Sequence, residues 1–261
     1  MLSSLRHASR LSTTSSLLPA ALCIHGAGGG GWEYDLWRSS FEACGWRIVA
    51  PDLEPASGSL ENTSLSDYVD QVALHWDEHQ PSALVGASMG GALALLLAQR
   101  LEQPLPPIAL VNSVIPRPWA RGARREDNGS KQKSEGVLRW KGSSLESTVR
   151  ALPDSTDEVQ RWACANWRDE SAAVMRELGS RTAPQAWATQ PAQAGELLYV
   201  IGETDRDCPA VAQAEWAAAW GATTFRYQGM SHVGPLLGRD APRVASDVVE
   251  WLALAHARRE S

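Results

Sequence analysis

The sequence predicts a doubly wound α/β fold, in which helices flank a mostly parallel sheet and a helical cap is inserted. Short apolar runs bounded by turn residues recur along the 261 residues. Most lack polar alternation, as expected of buried parallel strands. Helical patterns separate the runs, which favours right-handed strand-helix-strand units. The alternation of strands and helices stops over about 113–190. Helix-like pieces there carry tryptophans without a convincing strand, so we expect the cap in this segment.

The individual elements follow in chain order. Six strands are predicted in the runs AALCIHG, WRIVAPDL, SALVGAS, PIALVNS, ELLYVIG and TTFRYQG. Helices are predicted in WEYDLWRSSFEA, SLSDYVDQVALHWDEH, MGGALALLLAQRL, PAVAQAEWAAAW and PRVASDVVEWLALAHARR. The last of these ends in arginines, which interact favourably with the negative end of the helix dipole. We therefore expect one α/β domain over 18–261, since a single domain of this class commonly spans about 200–250 residues.

Composition limits the partners and the compartment. The net charge is -6 and the isoelectric point about 5.5, so the whole surface does not attract a phosphate backbone, and nucleic acid is not expected. The four cysteines show no C-x-x-C spacing, which favours a reducing compartment such as the cytoplasm. No apolar run reaches the ~20 residues that span a bilayer.

Residues 1–17 form a segment of their own. They contain Arg6 and Arg10, several serines and no acidic residue, as organellar transit peptides do. A disordered tail is the alternative. Secretory cleavage in the apolar LLPAALCI stretch would remove the first predicted strand, so we do not expect secretion.

The glycine-rich segment His25–Gly31, HGAGGGG, allows two interpretations. It contains G-x-G-x-x-G after a predicted strand, and Asp52 follows about 20 residues later, as in a dinucleotide-binding fingerprint. The alternative is a loop that lends backbone N–H groups to an oxyanion. Trp32 directly follows the last glycine, where the fingerprint needs close helix packing, so we favour the oxyanion loop.

The sequence LVGASMGG places Ser88 between a predicted strand and a predicted helix. Gly86 and Gly90 complete a G-x-S-x-G motif in the context that a nucleophile elbow requires. The serine of such an elbow has a strained backbone, and residues two positions away crowd the turn unless they lack a Cβ atom. Ser88 is therefore the candidate nucleophile.

A serine nucleophile needs a base and an acid that orients the base. His232 follows the last predicted strand, and Asp205 follows the strand before it in a G-x-x-D-x-x-x-P run. Asp207 is the alternative acid, but it lies near Pro209 and is expected to cap the next helix. The predicted triad is Ser88, Asp205 and His232.

With these motifs the chain resembles the α/β-hydrolase superfamily, and in particular its cap-bearing esterases, over about 18–260. The resemblance implies that Ala27, after His-Gly, and Met89, after the nucleophile, donate the two oxyanion N–H groups. The fold usually opens with two further strands. Residues 1–17 leave little room for them, so we expect a sheet that is short at that edge.

Two histidine features have simpler interpretations than catalysis. His75, Glu78 and His79 form an H-x-x-E-H spacing, which some zinc peptidases use. The helix is expected to end near Gln80, where histidines interact with the dipole, so we expect no metal site. We expect no organic cofactor either, and we expect His25 to brace the glycine loop.

These features predict a serine hydrolase that acts on a small molecule. The cap tryptophans indicate an apolar pocket, because tryptophan offers a large rigid surface with one polar atom. The candidate pocket residues are Trp119, Trp140, Trp162, Trp167 and Trp187. The expected substrate is a small or medium apolar ester, with thioester or amide as alternatives. Non-hydrolytic lyases, cofactor-free oxygenases and small-molecule receptors of the same fold remain rival interpretations, and the oligomeric state stays open.

Overall fold

The computed structural model describes residues 18–102, 104–113, 136–179 and 196–260. Within them a six-stranded sheet has the order β2-β1-β3-β4-β7-β8, and every neighbouring pair is parallel. Its strands are β1 Ala20–Ile24, β2 Arg47–Val49, β3 Ala83–Ala87, β4 Ile108–Val111, β7 Leu197–Gly202 and β8 Thr223–Tyr227. All six lie in the predicted runs, and the doubly wound α/β fold is confirmed.

Helices cover both faces of this sheet. The 3-10 helix Gly31–Trp37 leads into α1, and two short 3-10 helices, Ala56–Gly58 and Leu60–Asn62, precede α2. The α-helices outside the insertion are α1 Arg38–Ala43, α2 Leu65–His79, α3 Met89–Ala98, α7 Ala210–Ala219, α8 Gly234–Leu237 and α9 Ala241–Glu260. Helix α2 begins with a capping box between Ser64 and Asp67. No helix in the described ranges combines the length and apolar character needed to cross a bilayer.

The core is divided by the sheet. Successive side chains of a strand point to opposite faces, so Leu22 and Ile24 of β1 join one apolar cluster while Ala21 and Cys23 join the other. The first cluster packs on α2, α3 and α7, and the second packs on α1, α8 and α9. Because both faces are covered, the central strands β1, β3, β4 and β7 are buried and almost entirely apolar, which explains why they were predictable from short apolar runs.

The segment between β4 and β7 adds a small subdomain. Its described part, 136–179, contains β5 Val137–Leu138, α4 Leu145–Ala151, α5 Asp157–Asn166, β6 Glu170–Ser171 and α6 Ala172–Gly179. The pairing of β5 with β6 is antiparallel, although no strand was expected here. Two residues per strand are too few to produce a recognisable alternation in sequence.

Strand β2 is the outermost strand on its side of the sheet within the described residues. Residues 1–17 lie outside the described ranges, so the expectation of a sheet short at this edge stays a prediction. The parallel strands all place their carboxyl ends at one edge of the sheet, where ligands of such folds bind. The segments that follow β1, β3, β4, β7 and β8 therefore converge there.

Candidate active site

Ser88 occupies a strained turn between β3 and α3. Its backbone angles are φ 51° and ψ -117°, in a region that residues other than glycine rarely adopt. A Cβ atom on Gly86 would lie 2.3 Å from the Gly90 oxygen, and one on Gly90 would lie 2.0 Å from the Ile24 oxygen. Both positions therefore require glycine, as the motif predicted, and the close packing that results holds the serine in its conformation.

The structure brings Ser88, His232 and Asp205 into one hydrogen-bonded chain. The Ser88 hydroxyl oxygen lies 2.9 Å from His232 Nε2, and His232 Nδ1 lies 2.9 Å from Asp205 Oδ2. The other Asp205 oxygen accepts the backbone N–H groups of Asp207 and Cys208 at 2.8 and 2.9 Å. The carboxylate is therefore fixed by its own turn.

Asp207 differs from the prediction. Its side chain is exposed, and α7 begins after Pro209 with no side-chain cap, so the expected capping role is wrong. The N–H groups of Asp207 and Cys208, ahead of the helix, are bonded by Asp205. Asp207 influences His232 only through its charge.

Two titratable groups in the site have shifted pKa values. Burial lowers the pKa of His232, but the hydrogen bond and charge of Asp205, helped by Asp207 and Glu33, outweigh burial and raise it above its usual value. Burial raises the pKa of Glu33 to about 7, although its hydrogen bond from Gly26 and the charge of His232 oppose this shift. Glu33 is thus a second buried acid in the site, and the charge of His232 influences its pKa.

His25 braces the glycine loop, as expected. Burial lowers its pKa to about 4, so the ring is neutral near pH 7. Its Nδ1 lies 2.7 Å from the Gly26 carbonyl oxygen and its Nε2 lies 3.0 Å from the Leu53 nitrogen. Because the Leu53 N–H can only donate, Nε2 is the acceptor and Nδ1 carries the proton.

The three glycines of the G-x-G-x-x-G pattern all donate to carboxylates. The bonds are Gly26 N to Glu33 at 3.0 Å, Gly28 N to Glu170 at 3.1 Å and Gly31 N to Asp52 at 2.7 Å. In a dinucleotide site these N–H groups would face a pyrophosphate, which carboxylates in the same place would repel. The geometry therefore disfavours the dinucleotide interpretation and gives Asp52 a bracing role.

The two predicted oxyanion donors lie on either side of the serine. Among described residues, the Ala27 N–H meets no protein acceptor, although Gly29 N bonds the Gly26 oxygen in the same turn. Met89 is the first residue of α3, so its N–H has no acceptor within the helix. The Gly26 position packs against Ser88, because a Cβ there would lie 3.3 Å from the serine Cβ.

The predicted pocket tryptophans separate into distinct environments. Trp140 packs on the glycine loop, where a Cβ on Gly28 would lie 2.1 Å from its ring. Trp162 and Trp167 make edge contacts with Trp32, at ring separations of 5.0 and 5.2 Å. These two tie the inserted segment to the α/β domain. Trp119 and Trp187 lie outside the described residues.

Sequence reasoning missed two polar residues that connect the loops of the site. Asn112, after β4, accepts the Gly202 N–H at 2.7 Å and donates to the His232 carbonyl at 2.7 Å. Asp154, from the inserted segment, accepts both the N–H and the hydroxyl of Ser231, which precedes the catalytic histidine candidate. The position of Asn112 at a strand end was the one available signal, whereas Asp154 had none.

Two groups of side chains have metal-compatible spacing. The donor atoms of His75, Glu78 and His79 lie within 4.8 Å of one another, as do those of Asp205, Cys208 and His232. The second group overlaps the hydrogen-bonded chain already described. The absence of a bound metal stays a prediction.

The parallel sheet, the strained serine and the histidine after the last strand define an α/β hydrolase. The model of the alpha/beta hydrolase family matches residues 21–247, and the chain belongs to that family. The predicted resemblance is confirmed.

Solved structures share this fold. Polyneuridine aldehyde esterase is similar with a TM-score of 0.71 and 15% identity, over 90% of this chain and 99% of that one. A methylesterase from Arabidopsis has a TM-score of 0.69 and 15% identity, over 92% and 99% of the two chains. A pyrethroid hydrolase from Sphingobium faniae JZ-2 has a TM-score of 0.69 and 20% identity, over 90% and 97%. No curated protein matches the sequence significantly.

The close packing at the elbow predicts that two Gly→Ala substitutions differ strongly in their effect on the free energy of unfolding. Gly90→Ala forces a methyl group against the Ile24 carbonyl, so we expect a loss of about 3 kcal/mol or more in the free energy of unfolding. Gly179→Ala is the control, because no atom of the described residues lies within 4 Å of the added methyl group and a change within about 0.5 kcal/mol is expected. Denaturant unfolding of both variants measures the difference. Equal stability of the two would contradict the packing described for the elbow.

Proposed function

We propose that this protein is a serine hydrolase that cleaves a small or medium, largely apolar carboxylic ester through an acyl-enzyme. The hydrogen-bonded chain from Ser88 through His232 to Asp205 carries the proposal. The similar structures that are esterases and hydrolases support the same class of reaction.

The first step is attack of the Ser88 oxygen on the ester carbonyl carbon. His232 Nε2, at 2.9 Å, takes the hydroxyl proton as the new C–O bond forms. Asp205 keeps the proton of His232 on Nδ1 and stabilises the imidazolium that develops. The raised pKa of His232 makes it a stronger base, which is neutral and able to accept the proton only once the pH exceeds that value.

The negative charge that develops on the carbonyl oxygen needs donors that are already in place. In this proposal the Ala27 and Met89 N–H groups supply them. Met89 adds the positive end of the α3 dipole, since it is the first residue of that helix. The intermediate then collapses, His232 gives its proton to the leaving alcohol, and the acyl group stays on Ser88.

Water completes the cycle. His232 removes a proton from a water molecule as the water attacks the acyl carbon, and the same donors hold the second oxyanion. The proton then returns to the Ser88 oxygen as the acid leaves. No step requires a metal or an organic cofactor, and a thioester or amide would follow the same sequence.

The compartment and the partner follow from composition. The four cysteines form no disulfide bond, which suits a reducing compartment, and we propose the cytoplasm. An organellar location would apply if residues 1–17 act as a transit peptide. The partner proposed is a small-molecule substrate, not a nucleic acid.

Active-site labelling tests the proposal most directly. A fluorophosphonate should modify Ser88, and wild-type protein should turn over many equivalents of an activated ester while Ser88→Ala does not. Peptide mass spectrometry and a continuous assay measure these. Labelling elsewhere with Ser88 untouched would overturn the mechanism. Binding without turnover would favour a receptor, and turnover without an acyl-enzyme would favour a lyase or oxygenase.

The acid can be identified by a matched pair of amide substitutions. Asp205→Asn should reduce turnover strongly, because an amide favours the wrong imidazole tautomer, a change worth roughly 10⁴ in a triad of another fold. Asp207→Asn should keep most activity, because its exposed side chain does not contact His232. Ester turnover is measured alongside thermal melts. The opposite ranking would move the acid to Asp207.

Trp140 should influence substrate choice. Its ring covers Gly28 beside the proposed oxyanion donor, so Trp140→Ala should shift the preference among esters of different acyl length. Trp162→Ala is the comparison, because Trp162 packs on Trp32 and should mainly lower the melting temperature. A chain-length panel and melting curves separate the two effects. An unchanged preference in Trp140→Ala would place the pocket elsewhere.

A further inference from the structure

We propose that Glu33 and Glu170 are positioning residues for the oxyanion hole, and that they act by holding the N–H groups on both sides of Ala27. The inference rests on the proposed function and deepens it. It assigns part of the oxyanion hole to the inserted segment, because Glu170 belongs to β6 and Glu33 belongs to the α/β domain.

Glu33 fixes the loop before Ala27. Its Oε2 accepts the Gly26 N–H at 3.0 Å, and the carboxyl group packs directly on Gly29, where a Cβ would lie 2.4 Å from the carboxyl carbon. The side chain is 2% exposed. A buried backbone N–H must find an acceptor, so this contact sets the orientation of the His25–Gly26 peptide, which lies next to the peptide that carries the Ala27 N–H.

Glu170 fixes the loop after Ala27. Its Oε2 accepts the Gly28 N–H at 3.1 Å, while its Oε1 accepts the Tyr68 hydroxyl and the Ser171 N–H, both at 2.7 Å. The Gly28 carbonyl in turn accepts the Arg168 N–H at 2.8 Å. The inserted segment therefore holds both polar groups of Gly28.

These contacts leave one donor unused in the turn. Gly26 and Gly28 donate to the two carboxylates and Gly29 donates to the Gly26 oxygen, whereas Ala27 has no protein acceptor among described residues. The neighbouring peptides are fixed on both sides, so the free N–H keeps one direction. Such preorganisation is what makes a hydrogen-bond donor effective at a developing charge.

Carboxylates beside an oxyanion would repel it unless their charge is reduced or balanced. Glu33 can accept the Gly26 N–H in either protonation state, and its pKa of about 7 leaves part of it neutral near neutral pH. The positive charge of Arg168 acts on His25 at the start of the same loop, and its guanidinium pairs with Asp52 and Glu54. Glu170 also receives three hydrogen bonds, which disperse its charge.

Glu170→Ala tests the contribution of the inserted segment. The alanine removes both acceptor oxygens, so the Gly28 N–H loses its acceptor and the clamp is broken. We expect kcat for an activated ester to fall roughly 10- to 100-fold with KM changed less than about threefold, as for a misplaced oxyanion donor. A trifluoromethyl ketone, whose hemiketal carries the oxyanion, should bind weaker by a similar factor. Glu146→Ala, which removes an exposed carboxylate on α4, is the matched control.

Glu33 is tested by a rescue pair. Glu33→Ala removes the acceptor of the Gly26 N–H and should lower kcat and inhibitor affinity together. Glu33→Gln keeps an amide oxygen for that N–H and should recover most of both. Melting curves establish that each variant is folded. Equal loss in the Ala and Gln variants, or a loss confined to KM, would overturn the positioning role.

Backbone amide exchange in wild-type protein keeps the inference testable if the variants do not fold. The Gly26 and Gly28 amides should exchange more slowly than the Ala27 amide in site-resolved NMR, because only the first two are bonded. Fast exchange at Gly28 would overturn the clamp. No ester turnover and no Ser88 labelling in wild-type protein would overturn the proposed function, whereas full kcat in folded Glu170→Ala would overturn only the positioning role.

Discussion

The constraint on which the site depends is the close approach of β1, β3 and α3 around Ser88. The backbone of Gly90 lies against the carbonyl oxygens of Ile24 and His25, directly after the positive-φ turn at Ser88. The same carbonyls begin the glycine loop, so one packing contact relates the position of the loop to that of the proposed nucleophile. A serine on a relaxed turn would not be held within reach of both His232 and the loop.

The inserted segment contributes to this geometry as well as covering the site. Asp154 holds the backbone before His232, and Glu170 with Arg168 holds Gly28. Its contacts therefore reach both the proposed base and the proposed oxyanion loop. A segment bound in this way is a structural part of the candidate site.

Much of the fold and the position of Ser88 could be predicted from the sequence, because the patterns that indicate them are local. Buried parallel strands give short apolar runs, and the elbow gives G-x-S-x-G, so the sheet and Ser88 were accessible. The hydrogen-bond partner of the Gly28 N–H could not be predicted, because Glu170 lies 142 residues away and nothing in its sequence neighbourhood marks it as buried. The glycine pattern was ambiguous for a related reason, since the same N–H groups serve phosphate or carboxylate, and only the fold determines which one faces them.

The electrostatics of the site show how two opposed requirements are met. An imidazolium at His232 is favoured by nearby negative charge, whereas an oxyanion beside Ala27 is disfavoured by it. Asp205, bonded to the ring and fixed by its own turn, supplies the negative charge on the histidine side. Glu33 bonds the loop next to Ala27, and its charge also raises the pKa of His232. Burial raises the pKa of Glu33 itself to about 7. In the proposed mechanism, a neutral Glu33 still accepts the Gly26 N–H but no longer opposes the oxyanion, so burial of this acid makes a carboxyl clamp compatible with anion stabilisation.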